Sequence, residues 1–346
     1  SNSLTQTFAI SKTQSQMLLA CAVSDSAGGP NGKSHCDISS SSLCLTKNYV
    51  SRAFAQTHTQ MAEPVRAASF LDKGGTGKTT SVAHLGVALS EQGHEVLLID
   101  LAGKQGDLAK HLGKWNDVKA EIEGDDDWPN ISTVFDDTWG KIVDKLGDSA
   151  VDELIVETDE GPDLIPAHPG LDSLDAELGN IDDAEDRYSR LDNFLTEHID
   201  SRGYDVVLVD LPGLTNNVSY NGLWAVDGVI APVEMGPFES EQAVALRNDL
   251  EKFQERFPTN VRLAMVLPNK IDSRTKLAEK YLEAFSEEYP DEIAPEPVPL
   301  SQDVRNAAER GQTAFALEDP STTASRAREA FLADAEELVK RLGGSA

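Results

Sequence analysis

DKGGTGKTT, residues 72–80, places three glycines and a threonine between Lys73 and Lys78 and follows them with Thr79 and Thr80. Upstream, VRAASFL (65–71) is a short apolar run. Downstream, SVAHLGVALSEQG repeats apolar residues at helical spacing until Gly93 ends it. The order strand, glycine loop, helix is that of a phosphate-binding loop. Glycines let backbone N–H groups turn inward around phosphate oxygens, and the helix N-terminus adds partial positive charge. On this pattern Gly74, Gly75, Thr76 and Gly77 wrap the phosphates and Lys78 neutralises the outer ones. Thr79 offers its hydroxyl to Mg²⁺ and Thr80 meets the inner phosphate. The spacing is a compressed form of the usual loop, and a second lysine, Lys73, stands at its mouth.

Working outward, HEVLLID (94–100) and VVLVDLPG (206–213) are apolar strands that each end on an acid, Asp100 and Asp210. In a doubly wound sheet, residues just past the strand C-termini line the ligand crevice. DGVIAPVE (227–234), VRLAMVLPNK (261–270) and PVPL (297–300) read as further strands. Residues 239–257, 275–289 and about 322–342 read as helices. Between the two acid-ended strands, EIEGDDDWPN (121–130) is an acidic surface loop. GPDLIPAHPGLDSLDAEL (161–178) supplies a short strand and a turn, and RYSRLDNFLTEHI (187–199) a helix. Strands alternating with helices imply an α/β fold, with a doubly wound, mostly parallel sheet covered by helices on both faces.

The 346 residues carry a net charge of −29 and are 40% hydrophobic, enough for one large or two small domains. The charge is uneven. Residues 1–60 hold four basic and two acidic residues, a balance of +2, which leaves −31 for the rest. The same segment is serine-rich, lacks sustained periodicity and contains all three cysteines, Cys21, Cys36 and Cys44. It reads as a disordered extension, or a stretch upstream of the native start, with a single P-loop domain from 61 to 346. A domain without cysteine suits a reducing, cytoplasmic compartment. An acidic, lysine-poor surface resembles proteins adapted to molar salt. There the Debye length falls to ~3 Å, so net charge alone does not exclude a polyanion partner. No apolar run approaches the ~20 residues of a membrane helix.

KGGTGKTT resembles the deviant Walker A loop of the ParA/MinD family of partition and positioning ATPases, and the resemblance extends from Val65 to the C-terminus. It implies ATP and Mg²⁺ as cofactors and an ATP-sandwich homodimer in which Lys73 reaches the partner subunit's nucleotide, stabilising charge as an arginine finger does. It implies that Asp210 is the Walker B aspartate, and that Asn269, followed by Lys270, lies against adenine, whose edge an amide can match. The segment PLSQDVRNAAERG (299–311) would close over the base. Nitrogenase iron protein shares the loop but needs cluster cysteines, and none lie beyond Cys44. The last helix mixes Glu329, Asp334, Glu336 and Glu337 among its apolar positions, unlike the basic membrane helix of MinD-type proteins. Membrane binding is therefore not expected. Lys270, Arg274, Lys276 and Lys280 form the densest basic cluster and the expected contact for non-specific DNA.

One departure from the family matters for chemistry. Its second strand usually ends Asp-x-Asp-Pro-Gln-Gly, and the later aspartate positions the attacking water. Here Asp100-Leu101-Ala102-Gly103-Lys104-Gln105-Gly106-Asp107 puts Ala102 or Gly103 at that place. Asp107 is the expected substitute for the water and Asp100 for the metal shell, with slow hydrolysis. The resulting expectation is a cytoplasmic, nucleoid-associated, ParA-like switch with a protein activator or cargo adaptor. The alternatives are a MinD-like positioning factor, a non-hydrolysing ATP-holding regulator, and a ligase of the dethiobiotin or cobyrinate type.

Overall fold

The computed structural model describes residues 63–103, 106–124, 128–234, 236–272 and 274–343. The expectations for residues 1–60 lie outside them. Seven strands form one sheet: β1 (Val65–Ser69), β2 (Val96–Asp100), β3 (Val156–Glu157), β4 (Asp163–Ile165), β5 (Val206–Asp210), β6 (Gly228–Val233) and β7 (Arg262–Pro268). Their order is β3-β4-β2-β5-β1-β6-β7, and every pair is parallel except β3 with β4. The doubly wound, mostly parallel sheet expected from the sequence is therefore present.

Successive strand residues feed two cores, as the two-residue period of a strand requires. Leu97 and Ile99 of β2 and Val207 and Val209 of β5 face one core. There they meet the helices Leu171–Leu178, Arg190–Phe194, Asn217–Trp224 and Pro237–Arg256. Val96, Leu98, Val206 and Leu208 face the other, against the helices Lys78–Glu91 and Thr322–Arg341. The apolar face of the last helix, including Ala327, Phe331 and Leu338, is thus buried against the loop-bearing helix. No helix among the described residues is long and apolar enough to cross a membrane.

Two elements differ from expectation. PVPL is not a strand. Pro295, Pro297 and Pro299 lack the N–H a ladder needs, and the segment makes only isolated bridges, Val266 with Ile293 and Ile271 with Pro299. The helix over 187–199 is broken into Ala184–Tyr188, Arg190–Phe194, a π-turn at Leu195–Ile199 and a 3₁₀ turn at Asp200–Arg202. The wider turn lets Asp192 and Asp200 both reach Arg66 of β1, at 2.8 and 2.7 Å.

Candidate nucleotide site

The loop between β1 and the helix Lys78–Glu91 is shaped by Gly75 and Gly77, with φ of 80° and 96°. Gly77 caps the helix with no side-chain bond, and the first turn holds no acid, so its N–H groups are available to an anion. A Cβ on Gly77 would lie 2.3 Å from Asn269 Nδ2, because the loop is pressed against the end of β7. Asn269 Nδ2 donates to the Thr76 carbonyl at 2.9 Å, and the Lys270 N–H donates to Asn269 Oδ1 at 2.9 Å. Lys270 has a φ of 57°, the one positive value outside glycine among the described residues. That turn sends its ammonium to the Gly75 carbonyl and to Glu234 Oε1, 2.7 Å away. Asn269, expected against adenine, therefore also clamps the loop, with one N–H and its carbonyl oxygen engaged there.

Lys78 folds back into the loop and donates to the carbonyls of Lys73 at 2.7 Å and Leu71 at 3.2 Å. Burial lowers its pKa, while Asp210 and Asp72 act in the opposite direction. The turn after β5 closes the other side, where a Cβ on Gly213 would come 2.8 Å from Lys78 Nζ.

Asp100 and Asp210 are direct register partners on β2 and β5, so two buried carboxylates stand side by side at the strand ends. Asp100 accepts from the N–H of Ala102 at 2.9 Å and of Leu108 at 3.4 Å. Among the described residues neither oxygen of Asp210 makes a hydrogen bond of good geometry, although the Thr79 hydroxyl stands close enough to favour its ionised form. Burial raises both pKa values. Asp100 reaches about 7, and Asp210 is pushed well above the usual range by burial and by Asp100, with Thr79 and Lys78 opposing. An orphaned buried carboxylate beside a hydroxyl and a second acid is the donor set a hard cation takes. Thr79, Asp210 and Asp100 thus fit Mg²⁺.

The water-positioning region is different. Ala102 is exposed and Gly103 has φ 103°, so neither brings a carboxylate to the crevice. Asp107 opens the short helix Asp107–His111, and its exposed carboxylate pairs with Lys110 at 2.9 Å. The basic cluster is also divided. Lys270 is turned into the loop and Arg274 makes a two-pronged pair with Asp272, which leaves Lys276 and Lys280 exposed on the helix Lys276–Glu288.

Two histidines missed in the sequence meet at Thr80. The Thr80 hydroxyl bonds His111 Nε2 at 3.1 Å, and the Thr80 carbonyl lies 2.8 Å from His84 Nδ1. His84 Nε2 accepts from the Ala314 N–H at 3.0 Å, and the ring stacks on Phe331 with centroids 4.8 Å apart. Burial pushes its pKa down to about 3. Only the i, i+4 spacing of Thr80 and His84 was visible in the sequence. Beside them a cavity of about 210 Å³ is lined by Gly77, Thr80, His111, Asn269, Val304 and Ala308. The segment expected to close over a base forms one of its walls.

A glycine loop at the C-terminal end of β1, an uncapped helix N-terminus, a buried lysine and two strand-end aspartates define a P-loop nucleotide-binding protein of the doubly wound class. The family described as AAA domain, AAA_31, matches residues 67–265. The chain belongs to this family and, within it, to the ParA/MinD-type P-loop ATPases. The chromosome-partitioning ATPase Soj of Thermus thermophilus is 30% identical over 208 residues, 60% of this chain and 70% of its own. The chromosome partitioning protein ParA of Caulobacter vibrioides is 28% identical over 283 residues, covering 81% and 96%. Among solved structures, a cobyrinic acid a,c-diamide synthase from Mycobacterium smegmatis, with bound ADP and magnesium, is 28% identical at a TM-score of 0.55. It is covered over 91% of its length by 72% of this chain.

Proposed function

We propose that the chain is a ParA-like ATPase that dimerises around Mg-ATP and uses nucleotide state as a switch in DNA partition or cargo positioning. The observation that carries this reading is the pairing of Asp100 with an orphaned Asp210 beside Thr79 and Lys78. Magnesium held by Thr79, Asp210 and Asp100 would neutralise phosphate charge and the two carboxylates together. Gly74 to Gly77 and the first helical turn would bind the phosphates, and Lys78 would leave its carbonyl partners for them. Lys73 is assigned to the partner subunit's nucleotide, and Asp107, released from Lys110, to the attacking water. The relatives named for chromosome partitioning support a site of action on the cytoplasmic nucleoid, with Lys276, Lys280 and Arg274 as non-specific DNA contacts and a protein activator or cargo adaptor as partner. The buried face of the last helix supports a role without membrane attachment.

A second reading, an ATP-holding regulator that does not turn over, is favoured by the absence of a carboxylate at Ala102 and Gly103. A third, an amide-forming ligase, is favoured by the Mycobacterium smegmatis neighbour. Single-turnover cleavage of Mg-ATP by the parent, Asp107→Ala and Ala102→Asp, with and without DNA, separates these. Cleavage slowed by Asp107→Ala and quickened by Ala102→Asp supports the switch, whereas no cleavage in the parent under either condition supports the regulator. Cleavage that requires an added carboxylate acceptor and amine donor supports the ligase.

A further inference from the structure

Thr80 has one hydroxyl proton, and the structure shows where it goes. The His111 ring faces a carbonyl on one side, that of Asp107 at 2.9 Å from Nδ1. A carbonyl only accepts, so Nδ1 carries the ring proton and Nε2 of the neutral imidazole is an acceptor. The bond from Thr80 Oγ1 to Nε2, 3.1 Å, must then be donated by the threonine. Thr80 is the third residue of the loop helix, and both its side chain and His111 line the cavity at the helix N-terminus. An anionic phosphate at that N-terminus needs the same proton that His111 now receives.

We propose that His111 is a positioning residue that links proton uptake to phosphate binding. When phosphate arrives, one solvent proton goes to Nε2, the N–H then donates to Thr80 Oγ1, and the Thr80 hydroxyl turns its own proton to a phosphate oxygen. This deepens the nucleotide-binding reading above and rests on it.

The surroundings permit such a change. The groups facing His111 are Asp107 and Lys110 on its own helix, His84 on the loop helix, and Lys270 and Arg305 across the cavity. Burial leads the effects that hold His111 below the ordinary histidine value, assisted by Lys110, while the carbonyl and carboxylate of Asp107 act in the opposite direction. His84 is held neutral between Thr80 and Ala314, so it does not compete for the proton. The negative charge of a phosphate would add to the raising side.

The sign follows from linkage. A ligand that selects protonated His111 binds tightest below the free-state pKa and weakens as pH rises toward the bound-state pKa, by up to tenfold per unit. The test is calorimetric titration of Mg-ADP into the full chain from pH 6 to 8, at fixed potassium chloride and in buffers of different ionisation enthalpy. The parent is compared with His111→Gln, whose amide can accept or donate but does not titrate, and Thr80→Val, which breaks the chain from the other end. The parent should take up more protons than either variant. The parent's affinity should fall from pH 6 to pH 8 more steeply than that of His111→Gln, by up to about tenfold. Parallel pH dependence and equal proton uptake in parent and His111→Gln would overturn the role of His111 while leaving nucleotide binding intact. No binding of Mg-ADP by the parent would overturn both.

Discussion

Replacing Asp100 by asparagine should stabilise the metal-free protein at alkaline pH and destabilise it in acid. Asp100 is buried, and its pKa rises from 3.8 to about 7 on folding. A carboxyl whose folded pKa is raised contributes nothing unfavourable below the unfolded value and costs stability progressively as pH climbs toward 7. Keeping that carboxyl ionised in the buried site costs on the order of several kcal/mol above pH 7, which the asparagine avoids. Against this, asparagine keeps the bond from Ala102 N–H but presents its NH₂ to the Leu108 N–H, losing a long bond worth about 1 kcal/mol. The net expectation is a gain on the order of a few kcal/mol at pH 8 and a loss of about 1 kcal/mol near pH 4. Denaturant unfolding of parent and variant in a chelator, at constant salt, measures the difference. The same variant should lose the added stability that Mg-nucleotide gives the parent, because the metal shell lacks one charge. A parent-minus-variant difference that does not change between pH 4 and pH 8 would refute the idea that burial of the Asp100 and Asp210 pair opposes folding.

Further outcomes are expected. Lys78→Ala should abolish ATP binding, whereas Lys73→Ala should leave monomer binding and remove ATP-dependent dimers in sedimentation; equal loss of affinity in both would defeat the cross-subunit role of Lys73. Neutralising Arg274, Lys276 and Lys280 together should reduce DNA retention and flatten its log–log salt slope by at most about 2.7, since each phosphate contact contributes about 0.9. Adding Lys270 to that set should impair ATP binding as well. Asp334→Asn should stabilise the protein above pH 8 but not near pH 4. The pKa of Asp334 rises to about 8 on burial, and asparagine keeps the bond from the Glu296 N–H. Gly77→Ala should weaken nucleotide binding and lower thermal stability, because its methyl group would collide with Asn269 at an unfavourable φ.

The loop, its helix and the acid-ended strands were legible because each is a local pattern: apolar runs set the strands, and Gly77 and the strand-end acids stand at fixed offsets from them. Even the pairing of Asp100 with Asp210 follows once β2 and β5 are neighbours. What stayed hidden depends on distant partners. His84 meets Ala314 across 230 residues of chain, and His111 meets Thr80 across 31. Lys270 read both as the neighbour of Asn269 in the nucleotide site and as one of four surface cations, and a positive φ turns it toward the loop and away from the other three. The strand expected at 297–300 failed for a local reason that apolar content concealed, its alternate prolines. The break in the helix over 187–199 required knowing that Arg66 waits on β1 for two carboxylates.

The two margins of the sheet bear on how the protein stays dispersed. In concentrated salt, repulsion between strongly acidic surfaces is screened within ~3 Å, so like charge no longer keeps copies apart. An open strand edge would then be a template for edge-to-edge assembly. One margin ends in β3, two residues long and antiparallel to its neighbour, too short to seed a ladder. The other, β7, is overlaid by the proline-rich passage through Ile293 and Pro299, whose N–H-poor backbone shields the strand while offering little to an incoming chain. Colloidal stability can therefore rest on backbone chemistry where charge is ineffective, and substituting Pro297 by valine would restore an N–H on the passage beside that edge.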